Sequence, residues 1–128
     1  DDWLAAQVAG GLALPLQSMP RPVLFHGHCH QKATVGTAGS LAALRAVPDQ
    51  KVSQIDAGCC GMAGSFGYTP DHYELSLAIA RDRLVPAIEA APETLICADG
   101  ASCRQQIEHT TGRRVYHVME VLAQALAP

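Results

Sequence analysis

The chain has 128 residues, 48% of them hydrophobic and 16% charged, with a formal net charge of −3 and a pI near 6.0. These values describe one globular domain able to bury a core, and they exclude a disordered segment. The acidic balance argues against nucleic acid or an anionic membrane as partner. No apolar run approaches the roughly 20 residues of a transmembrane segment.

The chain opens Asp1-Asp2-Trp3, without methionine, and reads as part of a longer protein. A trimmed secretory leader is the rival reading. Five widely spaced cysteines do not make a disulfide framework, which would be even in number and denser. A reducing compartment, with thiols free to bind metal, is the expectation.

Trp3, Leu4, Val8 and Leu12 recur at helical spacing, and Gly10-Gly11 ends the pattern. This short helix is expected to pack on a preceding domain, with Trp3 as a packing residue. Residues 14–22 hold three prolines and read as an extended connection. Residues 1–22 are thus a partial helix and linker, and residues 23–128 the domain proper.

Val23-Leu24-Phe25 is a buried strand that runs directly into His26-Gly27-His28-Cys29-His30. Gln31 to Val47 reads as helical, with Gly36 and Gly39 weakening its first half, Ser40 capping its firm part and Pro48 ending it. Residues 51–56 form the second strand. After it comes Gly58-Cys59-Cys60-Gly61-Met62-Ala63-Gly64-Ser65-Phe66-Gly67. The next helix starts either with Thr69 as N-cap and Pro70 behind it, or with Asp71 as N-cap and Glu74 three residues on. Its buried stripe is Leu77, Ala80, Leu84 and Ile88, and Pro86 should kink or break it near Leu84.

Residues 94–97 form the third strand, which Cys97 ends, followed by Ala98-Asp99-Gly100-Ala101-Ser102-Cys103. A helix runs from Arg104 to Thr110 and stops at Gly112. Residues 115–117 are the fourth strand, and Val118 to Leu126 the last helix, with Val118, Val121, Leu122 and Ala125 inward. Strands alternating with helices predict an α/β fold: a parallel four-stranded sheet under helices, Rossmann-like, with cysteines at the strand carboxyl ends.

Adjacent cysteines suit a disulfide poorly, because neighbouring Cα atoms lie ~3.8 Å apart and a relaxed bridge wants roughly 4.4–6.8 Å. Cys29, Cys59, Cys60 and Cys103 come from three loops that a parallel sheet brings together, and four thiolates are what a [4Fe–4S] cluster takes. Such a site carries about two negative charges, and burying them costs several kcal/mol unless donors surround it. Candidate donors are the N–H groups of Gly61, Gly64 and Gly100, the start of the helix after Cys103, and Lys32 and Arg104. Cys97 is a strand residue or a further ligand. His26, His28 and His30 are surface residues or stand just behind the ligands, and His30 is the best further ligand of the three. His117 is a donor beside the site or a helix cap. His72 and His109 read as solvated, and Phe66 and Tyr68 as loop packing.

Two other functions fit the same residues. One is a zinc-stabilised interaction domain using Cys29, Cys59, Cys103 and a histidine such as His30. The other is a thiol–disulfide oxidoreductase using Cys59 or Cys60 with Cys103, although the chain lacks a C-x-x-C motif.

Three segments carry a resemblance to a known family: His28-Cys29-His30-Gln31-Lys32, Cys59-Cys60-Gly61-Met62-Ala63-Gly64-Ser65-Phe66-Gly67-Tyr68, and Ser102-Cys103-Arg104-Gln105-Gln106-Ile107. The chain resembles the cysteine-rich CCG domain of the heterodisulfide reductase B subunit and the glycolate oxidase iron–sulfur subunit. It looks most like the C-terminal end of FAD-linked oxidases fused to iron–sulfur domains. The resemblance implies that Cys29, Cys59, Cys60 and Cys103 ligate an iron–sulfur cluster, cubane or noncubane. It also implies FAD on another part of the parent protein, ferredoxin-like domains as partners, and a quinone or other carrier as acceptor. The implied substrate is a D-2-hydroxy acid of the glycolate, D-lactate or 2-hydroxyglutarate type. The implied location is the cytoplasm, or the inner face of the membrane as a peripheral protein. Gly100 stands where the family pattern has the first cysteine of a closing Cys-x-x-Cys, so four thiolates are expected here rather than five.

Overall fold

A computed structural model describes residues 2–127. Four strands, β1 Val23–His26, β2 Val52–Gln54, β3 Leu95–Ala98 and β4 Val115–Tyr116, form one sheet in the order β2-β1-β3-β4. Every pairing is parallel, with Phe25 opposite both Gln54 and Cys97. The helices are α1 Asp2–Ala9, α2 Cys29–Thr34, α3 Ala38–Arg45, α4 Pro70–Glu89, α5 Ala101–Thr111 and α6 Val118–Ala125. The expected α/β architecture is therefore the one observed.

Both central strands are buried along their whole length. They read as unbroken apolar runs because helices cover the sheet on both sides. Alternation along each strand divides the core in two. Leu24, Ile96 and Ala98 pack with Leu84 and Ile88 of α4, Ile107 of α5, and Cys60 and Cys103. Val23, Phe25, Leu95 and Cys97 pack with Ala43 and Leu44 of α3 and Val118, Val121 and Leu122 of α6.

Local chemistry explains where several boundaries differ from expectation. The first long helix is two pieces, because Gly36 takes φ 77 between α2 and α3. Ser40 is no cap; it is buried inside α3. Pro70 stands at the first position of α4, behind Thr69, so the Asp71 start is not used. The same helix runs through Pro86 to Glu89, and Ala90 N–H donates to Pro86 O at 3.0 Å. Pro86 forfeits one backbone bond in the last turn, while buried Val85 and Ile88 hold that turn to the sheet. The helix after β3 begins at Ala101, ahead of Cys103, and ends at left-handed Gly112. β3 reaches Ala98, one residue beyond Cys97. Near the N-terminus α1 packs on α3, and Leu4 joins the core edge. Trp3 is 71% exposed.

Gly61 has φ 94, and a Cβ there would lie 2.2 Å from Ser76 O of α4. The turn after the paired cysteines thus lies against helix backbone. Gly61→Ala should cost about 3 kcal/mol, read as a lower denaturation midpoint; an unchanged midpoint would contradict this packing.

His26 ends β1 fully buried, and neither ring nitrogen has a hydrogen-bond partner among the described residues. Burial first, then neighbouring Lys32 and His28, pulls its pKa from 6.5 down to about 4. Above pH 6.5 the ring is neutral in both folded and unfolded chains. As pH falls from 6.5 towards 4, the unfolded chain takes up a proton that the folded one refuses, so stability is lost. Across that window the wild type should lose up to about 3 kcal/mol more than His26→Leu. Denaturant unfolding at a series of pH values measures this, and parallel curves for the two proteins would refute it.

Candidate functional site

Three loops at the carboxyl edge of the sheet carry the relevant thiols. After β1, His28 is the N-cap of α2, its Nδ1 accepting the His30 N–H at 3.2 Å, and Cys29 is the first helical residue. After β2, Cys59 and Cys60 precede the turn at Gly61. After β3, Gly100 is the N-cap of α5, and Cys103 lies buried in its first turn. The strand order sets β1 between β2 and β3, so these loops are neighbours. The chain leaves β1 towards one edge and β3 towards the other. Open α/β sheets hold their ligands at such a switch point.

The four thiols meet there. Cys29, Cys59, Cys60 and Cys103 lie close enough to shift one another's ionisation, so the sulfur set spans all three loops. All are free thiols; Cys60 and Cys103 are buried, Cys29 and Cys59 half-buried. Gly61 N–H donates to Cys59 Sγ at 3.3 Å, and the Met62 N–H bonds Cys60. The neighbouring Cys103 thiol lowers the Cys60 thiol below its ordinary range, and Cys60 in turn raises Cys103. Burial raises Cys59. Cys60 therefore becomes a thiolate before Cys59 and Cys103. Among the described residues, no three His, Cys, Asp or Glu side chains stand in a position to hold a metal ion.

Cys97 lies apart. It is fully buried among Phe25, Leu44 and Val118 on the opposite face of the sheet, where burial raises its pKa far above the ordinary thiol value. His30 is exposed on α2.

The expected donors divide. Gly61 reaches sulfur as anticipated. Gly64 is an exposed turn residue at φ 69. Lys32 Nζ donates to the carbonyls of Ala57 and Gly58, the latter at 3.1 Å, rather than to sulfur. Arg104 donates to Ala98 O at 3.2 Å and Asp99 O at 2.6 Å. Both cations therefore brace the loops that carry cysteines. His117 is the N-cap of α6 in a capping box with Glu120, and its Nε2 lies 3.5 Å from Asp99 Oδ1. His72 stacks on Phe66, and His109 pairs with Tyr73 OH at 2.8 Å.

Other supports escaped the sequence reading. Gln31 donates to Ser40 at 2.8 Å and Ser40 to Asp99 at 2.7 Å, tying α2 and α3 to the end of β3. Gln106 of α5 donates to Ser76 Oγ at 2.8 Å, beside the Gly61 turn. The available signal was a polar residue at an otherwise apolar helix position: Ser40, Ser76 and Gln106 are all buried.

Comparison with known proteins found no matching family model and no matching solved structure. The chain is 36% identical over 125 residues to the C subunit of anaerobic glycerol-3-phosphate dehydrogenase from Escherichia coli K12, covering 98% of this chain and 31% of that protein. It is 32% identical over 122 residues to D-2-hydroxyglutarate dehydrogenase of the same strain, covering 90% of this chain and 12% of that one. A D-2-hydroxyglutarate dehydrogenase of Pseudomonas putida is 31% identical over 114 residues, with 87% and 11% covered. The chain thus spans about a third of the first of these relatives and about a tenth of the others. It is similar to one portion of larger dehydrogenases.

Proposed function

We propose that this chain is the iron–sulfur electron-transfer module of a flavin-linked dehydrogenase. The observation that carries the reading is the meeting of Cys29, Cys59, Cys60 and Cys103 from three separate loops. Their chemistry fits the group: four sulfur donors, with backbone N–H groups already directed at two of them. These four cysteines would hold the cluster. When bound, it supplies single-electron transfer.

The chain's own residues do the positioning. Gly61 and Met62 offer N–H groups to sulfur, Lys32 holds the loop before Cys59, and Arg104 holds the end of β3. The parent protein would remove a hydride from an anionic hydroxy compound by means of FAD bound elsewhere. The similarity to glycerol-3-phosphate and D-2-hydroxyglutarate dehydrogenases supports that class. Electrons would arrive through ferredoxin-like domains and leave to a quinone or another carrier. No helix among the described residues is long and apolar enough to cross a membrane.

Anaerobic purification with iron, sulfide and zinc assays tests this. The wild type should hold about four irons with matching sulfide. Cys59→Ser and Cys103→Ser should lose that content, while Cys97→Ser keeps it. Full iron loading of Cys103→Ser would overturn the ligand set. One zinc without sulfide would point instead to a structural metal domain.

A further inference from the structure

A cavity of about 220 Å³ opens between α4, α5 and the single helical turn Phe66–Tyr68. Exposed Tyr68, Tyr73, Gln105 and His109 line its mouth, and buried Met62, Gly67 and Gln106 its floor. None of the four cysteines borders it. The turn is already in contact with α4. Gly67 N–H donates to Met62 O at 3.1 Å, and a Cβ at residue 67 would lie 2.6 Å from Met62 Sδ and 2.4 Å from Ser76 Oγ. It therefore has no room to move inward and fill the space. The two tyrosines are fixed by their hydroxyls, Tyr73 to His109 Nε2 at 2.8 Å and Tyr68 to Gln105. Their rings remain 39% and 55% exposed.

Gln106 supplies the polar group. It is 3% exposed. Its Nε2 donates to Ser76 Oγ at 2.8 Å and to Ser76 O at 3.2 Å, which fixes the amide. Its Oε1 accepts no hydrogen bond among the described residues, yet it is not sealed from solvent. An acceptor that is neither paired nor sealed, on a side chain this buried, meets the space that the side chain lines.

These features select a ligand. Tyrosine rings and a thioether suit an aromatic ring. An unpaired acceptor suits a hydroxyl donor. No Lys, Arg, Asp or Glu lines the cavity, so a charged molecule would lose water without gaining a partner. An apolar cavity of about 150 Å³ accommodates benzene, so this one has room for a single ring with a small substituent.

We propose that this cavity binds a neutral single-ring phenol, its ring against Tyr68 and Tyr73 and its hydroxyl donating to Gln106 Oε1. Met62 shares its core cluster with Cys60 and Cys103. One side chain thus stands between the bound ring and the part of the core that holds the inner thiols. The site contains no cysteine, so it is independent of the electron-transfer reading.

Fluorine NMR of the full chain with para-fluorophenol tests this. The probe should bind saturably with a Kd of about 1 mM. Para-fluoroanisole, the same ring with its hydroxyl methylated, should bind about tenfold more weakly, and para-fluorobenzoate should not compete. Tyr73→Ala should weaken phenol binding about tenfold in protein whose circular dichroism matches the wild type. Equal affinities for the phenol and the anisole would overturn the ligand class. Unchanged phenol binding by Tyr73→Ala would put the probe elsewhere and overturn the site.

Discussion

Sulfur atoms from three loops can meet here because every strand runs the same way and β1 lies between β2 and β3. An antiparallel neighbour would send one loop to the far edge. A different strand order would put a whole strand spacing, about 4.8 Å, between loops that must touch. The site is thus a property of the topology, and each loop adds only a local device. His28 starts the helix that carries Cys29, Gly61 turns the chain against α4, and the first turn of α5 presents Cys103. None of these devices would gather the thiols without the sheet.

Charge sets the second constraint. The chain is net negative, and a cluster on four thiolates, as proposed, would add more negative charge in a half-buried place. Side-chain cations would be the direct remedy, yet Lys32 and Arg104 bind backbone carbonyls. Their charge acts from behind the loops, and their geometry fixes the loops. Direct contact with sulfur is left to neutral N–H groups, which cost less to bury than a charge. A neutral donor also stabilises sulfur without creating a fixed ion pair that one oxidation state would break.

The alternation of strands and helices was legible because two signals agreed. Short apolar runs ended in polar, glycine-rich loops, and the stripe of Leu77, Ala80, Leu84 and Ile88 had helical spacing. The expectation that Cys29, Cys59, Cys60 and Cys103 share one edge followed from that pattern. A weakening at Gly36 was legible, but the full break there and the persistence of α4 through Pro86 were not. Each depends on whether tertiary packing repays a local cost, and propensity is silent on that. Gly61 was read as a donor to sulfur, which it is. Its steric role was hidden, because Ser76 approaches it from a distant helix. His28 was grouped with His26 and His30 by alternation along an extended chain. In the structure the three separate into a buried strand residue, a helix cap over Gly100 and an exposed helical residue.

Register in β3 decides which cysteine belongs to the site. Ile96 and Ala98 face Cys60 and Cys103, while Leu95 and Cys97 face α3 and α6. A slip of one residue would exchange the two sets and turn Cys97 towards the other thiols. The strand spans four residues, so its own pairing resists such a slip weakly. Arginines clamp the segment at both ends. Arg21 and Arg113 both hold Thr94 O just before the strand, and Arg104 holds Ala98 O and Asp99 O at its end. Each guanidinium binds backbone, so the clamp acts on register whatever side chains β3 carries. Three of the nine basic residues, which composition alone reads as surface charge, thereby keep a buried fifth cysteine out of the sulfur set.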